Sequence, residues 1–231
     1  MTLKLITFDL DNTLWHTDPV IVKADQVQWQ SILTLCPEAE TLYTANTLKQ
    51  LTAGVAAEKP ELKHKLSLLR QEILFRFFIQ CGFNKAQAEQ YSQQVFADFL
   101  HARNQVELFP GALELLQNLQ SKYQVIALSN GNADLTKIGL DSLFNAHYHA
   151  ENVARPKPYK DMFVAALDHS KVKPEDTLHI GDHPEQDVTA AKKMGFQTAW
   201  VNIIEQAWPS QFDKADHDIS HLNQLSDLLD K

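Results

Sequence analysis

Cysteine is nearly absent from this 231-residue sequence: Cys36 and Cys81 are the only two, far apart and without metal-ligand spacing. That scarcity excludes a disulfide framework and points to a reducing compartment, the cytoplasm. Glycine and proline are also sparse, at 7 and 9 residues, which excludes collagen-like and linker-like chains. No apolar run approaches the length of a membrane span. The first residues, M-T-L-K-L-I-T-F-D, are interrupted by Asp9 too early for a secretory apolar region. Positive charge is in deficit, 21 Lys+Arg against 29 Asp+Glu for a net charge of −8. An acidic surface repels phosphate backbones and anionic lipid, so the expected partners include neither nucleic acid nor membrane. The expectation is a soluble, acidic protein, monomeric or homodimeric, whose negative charge needs locating.

What is present is ordinary globular material, 44% apolar and 22% charged, enough for one or two domains. Leu3 to Phe8 is an unbroken apolar run of strand length that stops at Asp9. Runs of the same kind cover 124–128, 177–180 and 197–201, with a short one around Ile219. Continuous apolarity suggests strands covered on both faces, as in a parallel sheet. Helical spacing separates them: Ala112, Leu115, Leu116 and Leu119 after Pro110-Gly111; Met162, Phe163, Ala166 and Leu167 after Pro158; and Val188, Ala191 and Met194 before Gly195. The fold class is α/β, a doubly wound parallel sheet.

Residues 16–106 break that rhythm. Apolar positions recur at helical spacing there, as in Leu62, Leu66, Leu69, Ile73 and Phe77, and four helices fit, with breaks near Pro37, Pro60 and Gly82-Phe83-Asn84. The span reads as an all-helical insertion after the first strand, with residues 1–15 and 107–231 forming the core domain. The insertion carries 9 Lys+Arg and 9 Asp+Glu, leaving 12 and 20 outside it, so the whole negative excess belongs to the core.

Ligands of open parallel sheets bind beyond the carboxyl ends of the strands. Four polar stations fall there: Asp9-Leu10-Asp11-Asn12-Thr13, then Ser129-Asn130-Gly131, then Lys157 in R-P-K-P, then Gly181-Asp182 with Asp187 beyond. Singly, each has a plainer reading as a turn former, a helix cap or a solvated charge. Jointly, Asp9, Asp11, Asp182 and Asp187 bring carboxylates to one edge, and like charges that close require a cation. Hard oxygen ligands suit Mg²⁺. With Lys157 as a second positive charge, and Thr13, Ser129 and Asn130 as candidate phosphate-binding residues, the set suits a phosphoryl group on a small metabolite. One carboxylate can act as nucleophile, and a second can protonate the leaving oxygen and then activate water.

These residues resemble the haloacid dehalogenase superfamily of phosphotransferases. Its four motifs occur in order as D-L-D-N-T at 9–13, Ser129 in A-L-S-N-G-N, Lys157 in R-P-K-P, and G-D-H-P-E-Q-D at 181–187. The resemblance implies a Rossmann-like core and a mobile helical cap. It further implies that Asp9 is nucleophile and Mg²⁺ ligand, and that Asp11 is general acid/base with its carbonyl on the metal. Thr13 supports the first loop, Ser129 binds phosphate, and Lys157 holds phosphate and orients Asp9. Asp182 ligates Mg²⁺ and Asp187 completes or buttresses the metal shell. An acid at position 11 argues for ester hydrolysis, since the superfamily's true dehalogenases lack one there. Longer segments, notably R-P-K-P-Y-K-D-M-F, look like bacterial flavin-pathway phosphatases acting on 5-amino-6-(5-phospho-ribitylamino)uracil or flavin mononucleotide. A phosphotransferase or sugar-phosphate mutase is the alternative within the superfamily, and a non-catalytic phospho-ligand-binding module the alternative outside enzymes.

The remaining polar and aromatic residues stay open. Trp15, His16 and Trp29 are either ring-stacking or packing residues, and His147 and His149 share one face of a short segment without a third ligand nearby in sequence. His179 reads as a satisfied core histidine, and His183 as a site-rim residue or a helix cap.

Overall fold

The computed structural model describes residues 3–42 and 44–229. The chain divides into two units, Met1–Thr17 with Val106–Lys231, and Asp18–Gln105. Strand β1 (Leu5–Phe8) opens the first unit, and all four of its residues are buried, as an apolar run covered on both faces requires.

The second unit is helical: α1 (Thr17–Leu35), a single turn α2 (Ala39–Leu42), α3 (Ala45–Glu58), α4 (Leu66–Gln80) and α5 (Lys85–Arg103). Two starts are set by reciprocal capping. Thr44 and Thr47 exchange side-chain to backbone bonds at α3, and Asn84 and Gln87 do so at α5. Its core gathers Ala24 and Ile32 with Leu74, Phe77, Phe78, Val95, Phe96 and Phe99. Phe77 and Phe78 meet edge to face at 5.5 Å between ring centres, and Phe75 is only partly buried. Among the described residues no helix is long and apolar enough to cross a membrane.

The chain then continues through α6 (Ala112–Gln120), β2 (Gln124–Ser129), α7 (Leu135–Ile138), β3 (Ala146–His149), α8 (Asp161–Ser170), β4 (Thr177–Gly181), a π-helical stretch Pro184–Thr189, α9 (Ala190–Lys193), β5 (Gln197–Val201), β6 (His217–Ile219) and α10 (Asn223–Leu229). The six strands lie in the order β3-β2-β1-β4-β5-β6, and every pairing is parallel. Strand alternation divides the core in two. Ile6, Phe8, Val125, Ala127, Leu178 and Ile180 face α6 and α10, while Leu5, Ile126 and Leu128 face α8 and α9. The fold is therefore a doubly wound α/β sheet, the expected class. Register aligns the strand ends, because Phe8 pairs with Ala127 and with Ile180. Asp9 extends the ladder, its N–H donating to the carbonyl of Ile180 at 2.8 Å.

Two elements differ from the sequence reading. Strand β3, A-H-Y-H, is half-buried throughout and offers no apolar run. The helix expected through Val188 and Met194 is π-helical up to Thr189, and only Ala190–Lys193 is α-helical.

Candidate active site

Asp9 leaves β1 into a loop turned by Asn12, whose φ of 60° lies in the left-handed region that Asn tolerates. The Asn12 side chain accepts the Thr17 N–H at 2.9 Å, which closes the loop. Thr13, fully buried, donates its hydroxyl toward Asp9 Oδ2 at 3.2 Å and lies 3.5 Å from Asp182 Oδ1. Lys157 is 2% exposed, and its ammonium reaches Asp9 Oδ1 at 2.7 Å and Asp187 Oδ1 at 2.6 Å. Carboxylate oxygens of Asp9, Asp182 and Asp187 all lie within 4.8 Å of one another. Stations from β1, β4 and the loop before α8 thus meet at one sheet edge.

Asp187 belongs to the π-helical stretch and folds back over Gly181, and a Cβ on that glycine would fall 2.4 Å from the Asp187 carboxyl carbon. The backbone N–H of His183 donates to Asp187 Oδ2 at 2.9 Å. His183 is itself a cap, its Nδ1 accepting the N–H groups of Glu185 and Gln186.

Ser129 is buried at the end of β2, and its hydroxyl oxygen accepts the Gly131 N–H at 3.0 Å, leaving the O–H to donate. Asn130 also reaches the site, but as a brace. Its Oδ1 accepts the Lys157 N–H at 2.9 Å, and its Nδ2 donates to the Lys157 carbonyl and to Gln186 Oε1, both at 2.8 Å. Both amide hydrogens are thereby engaged, so its side chain fixes the loops that carry Lys157 and Asp187.

Asp11 lies outside the three-carboxylate cluster. Its Oδ1 accepts from Trp15 Nε1 at 3.0 Å and from the Thr17 hydroxyl at 2.8 Å. Trp15 is fully buried in the core, so its indole orients Asp11 and has no face open for stacking. His16 is exposed, edge-on to Phe109 at 4.5 Å, and Trp29 packs against Phe77 in the helical unit.

His179, read from the sequence as a satisfied core histidine, is buried with both ring nitrogens partnered. Its Nε2 lies 3.2 Å from Asp187 Oδ1, and its Nδ1 lies 2.8 Å from the Thr7 hydroxyl. Only the fold-back of Asp187 over Gly181 creates that contact. A polar residue inside an apolar strand was the available signal.

Burial raises Asp9 to about 7 against the pull of Lys157, and burial together with the Asp9 charge raises Asp182 to about 8. Burial opposes charge at Asp187 too, yet Lys157 and His179 outweigh it and hold that carboxyl well below the ordinary range. Lys157 is likewise disfavoured by burial, but Asp187 and Asp9 keep its ammonium well above its usual range. Burial lowers His179 below its ordinary value against the pull of Asp187. One ammonium therefore does not neutralise the cluster. Three carboxylates, two of them buried and the third nearly so, sharing a single ammonium are the hard oxygen donor set that a Mg²⁺ ion fits.

A parallel doubly wound sheet thus carries a lysine-clamped carboxylate cluster at its carboxyl edge. The sequence profile of the haloacid dehalogenase-like hydrolases matches residues 3–195, and the chain belongs to that family. It is similar to the Escherichia coli K12 protein 5-amino-6-(5-phospho-D-ribitylamino)uracil phosphatase YigB, with 26% identity over 98% of this chain and 96% of that one. A glyceraldehyde 3-phosphate phosphatase of Pyrococcus furiosus is 28% identical over 53% of this chain and 54% of its own. Among solved structures, a 2-haloacid dehalogenase from Pseudomonas syringae pv. Tomato DC3000 superposes with a TM-score of 0.94, at 33% identity and 99% coverage of both chains.

Proposed function

We propose that the protein is a Mg²⁺-dependent phosphomonoesterase that acts on a small phosphorylated metabolite through an aspartyl-phosphate. The observation that carries this reading is the contact of Lys157 with Asp9 inside the Asp9, Asp182 and Asp187 cluster. Lys157 pulls on Oδ1 and Thr13 on Oδ2, so Asp9 presents a fixed carboxylate. An oxygen of Asp9 attacks phosphorus, the ester oxygen leaves with its electron pair, and the Asp11 carboxylic acid protonates it. The Asp11 carboxylate then takes a proton from water, whose oxygen attacks the acyl phosphate. Inorganic phosphate leaves and Asp9 is restored. Lys157, the Ser129 hydroxyl and backbone N–H groups of the second loop bind the phosphoryl oxygens, while Asn130 fixes the loop that carries Lys157. Asp9, Asp182, Asp187 and the Asp11 carbonyl are the groups that would hold Mg²⁺. Bound there, the ion supplies charge neutralisation for the phosphoryl oxygens.

The substrate to assay first is 5-amino-6-(5-phospho-D-ribitylamino)uracil, on the strength of the Escherichia coli relative, followed by flavin mononucleotide. A flavin-pathway role in the cytoplasm is the corresponding setting. Dehalogenation is the second reading, favoured by the similarity to the Pseudomonas syringae structure. A halide leaves without a proton whereas an alkoxide needs one, so the Trp15-oriented Asp11 supports the ester reading. Phosphate release from p-nitrophenyl phosphate and from the ribitylamino ester, with Mg²⁺ and with chelator, tests the proposal beside halide release from a 2-haloacid. Halide release with no phosphate release overturns it.

A further inference from the structure

The mechanism uses Asp187 and Lys157 but gives no task to the imidazole behind them. His179 stands in the middle of β4, buried, with its ring edge-on to Phe163 of α8 at 5.2 Å. Its two nitrogens face different partners, Asp187 Oδ1 at 3.2 Å and the Thr7 hydroxyl at 2.8 Å. An ionised carboxylate only accepts, so Nε2 must carry the hydrogen that meets Asp187. In a neutral ring Nδ1 is then an acceptor, and the Thr7 hydroxyl fills it.

We propose that His179 is a positioning residue for the hydrolysis: Thr7 holds it as the Nε2–H tautomer, and that N–H fixes Asp187 and, through it, Lys157 and Asp9. The inference rests on the phosphatase reading of the same site. Each oxygen of Asp187 has assigned donors. Oδ1 takes Lys157 Nζ at 2.6 Å and His179 Nε2, and Oδ2 takes the His183 N–H. Without the imidazole, Lys157 is the remaining donor to Oδ1 given by this geometry, and lysine is a flexible point charge that cannot set the carboxylate plane. Lys157 then loses its fixed anchor, and Asp9 loses a fixed partner 2.7 Å away. A histidine that merely fills space would be replaceable by leucine.

The test uses the full-length protein with His179→Leu, His179→Gln and Thr7→Val, assayed at saturating Mg²⁺ with p-nitrophenyl phosphate, alongside Tm and circular dichroism. Glutamine returns a nitrogen donor near the Nε2 position, and leucine does not. His179→Leu should lower kcat about 10- to 100-fold with KM changed less than about threefold, and His179→Gln should recover most of that loss. Thr7→Val should give an intermediate loss. Nitrogen-15 NMR of the metal-free wild type should show His179 protonated on Nε2 alone. Folded His179→Leu with wild-type kcat overturns the inference, as does a wild-type ring protonated on Nδ1. If the leucine variant does not fold, Thr7→Val and the ring spectrum decide alone. Wild-type protein inactive on every phosphate ester overturns the functional reading instead, and the spectrum still decides the His179 contact.

Discussion

Gly181 lies directly beneath Asp187: an added Cβ would stand 2.4 Å from the carboxyl carbon and 2.6 Å from the Asp187 Cβ. The clash involves atoms close to the Asp187 backbone, so rotation of the side chain does not relieve it. Gly181→Ala should cost about 1–3 kcal/mol of stability by overpacking. It should lower kcat about 100-fold, because displacement of order 1 Å at a positioned group has that effect. Urea unfolding and steady-state kinetics check both, and a variant with native stability and rate would show that Asp187 does not occupy this place.

Trp15 and Asp11 form a second testable pair, joined by the indole N–H at 3.0 Å. Trp15→Phe keeps an aromatic body in the core and removes that donor. Protonation matters more for a poor leaving group, so kcat should fall several-fold more for an alkyl phosphate than for p-nitrophenyl phosphate. Equal losses on the two substrates would assign Trp15 to packing alone.

Metal binding and pH should be linked. Asp9 and Asp182 are raised to about 7 and about 8, above their ordinary values, chiefly by burial. Their stability contribution is therefore greatest at low pH and is lost as pH rises through those values. Mg²⁺ binds the ionised forms, so it must displace protons at pH 6 and far fewer at pH 8. Thermal melts should show the metal-free protein weakening from pH 5 to pH 8, and a larger Mg²⁺-induced rise in Tm at pH 8 than at pH 6. A larger rise at pH 6 would contradict the assignment of this cluster to the cation.

His147 governs a separate acid limb. Burial, with the neighbouring His149, lowers it to about 4, and among the described residues its Nε2 has no hydrogen-bond partner. A depressed histidine contributes stability above its unfolded value near 6.5, and that contribution is lost as pH falls toward 4. Relative to the wild type, His147→Leu should shift the stability change on going from pH 7 to pH 4.5 in the stabilising direction by on the order of 2 kcal/mol, a full shift discounted for partial exposure. Denaturant titrations at the two pH values measure it directly.

Much of this was legible in the residues because parallel strands advertise themselves. Gln197–Val201 reads as a strand and is one, and Leu178, Ile180 and Ile6 alternate with partners on the opposite sheet face. Strand β3 was illegible because none of Ala146, His147, Tyr148 and His149 is fully buried, so no apolar pattern marks it. The π-helical stretch was illegible because periodicity does not reveal a hydrogen-bonding pattern. At the site, Asp9 and Asp182 just beyond strand ends, with Lys157 in the loop before α8 and Asp187 five residues past Asp182, were visible as chemically competent types, and the structure brings them together. The bracing role of Asn130, the tie from Trp15 to Asp11 and the contact from His179 to Asp187 were not visible. Each depends on where a distant or folded-back segment places one atom.

The central claim is that Asp9 becomes phosphorylated during turnover. Asp11→Asn protein, mixed with Mg²⁺ and p-nitrophenyl phosphate and quenched in acid within the first turnover, should carry one phosphoryl group on the peptide containing Asp9, as read by mass spectrometry. Wild-type turnover together with an Asp11→Asn peptide that never gains phosphate, or that gains it at a residue other than Asp9, would contradict the account.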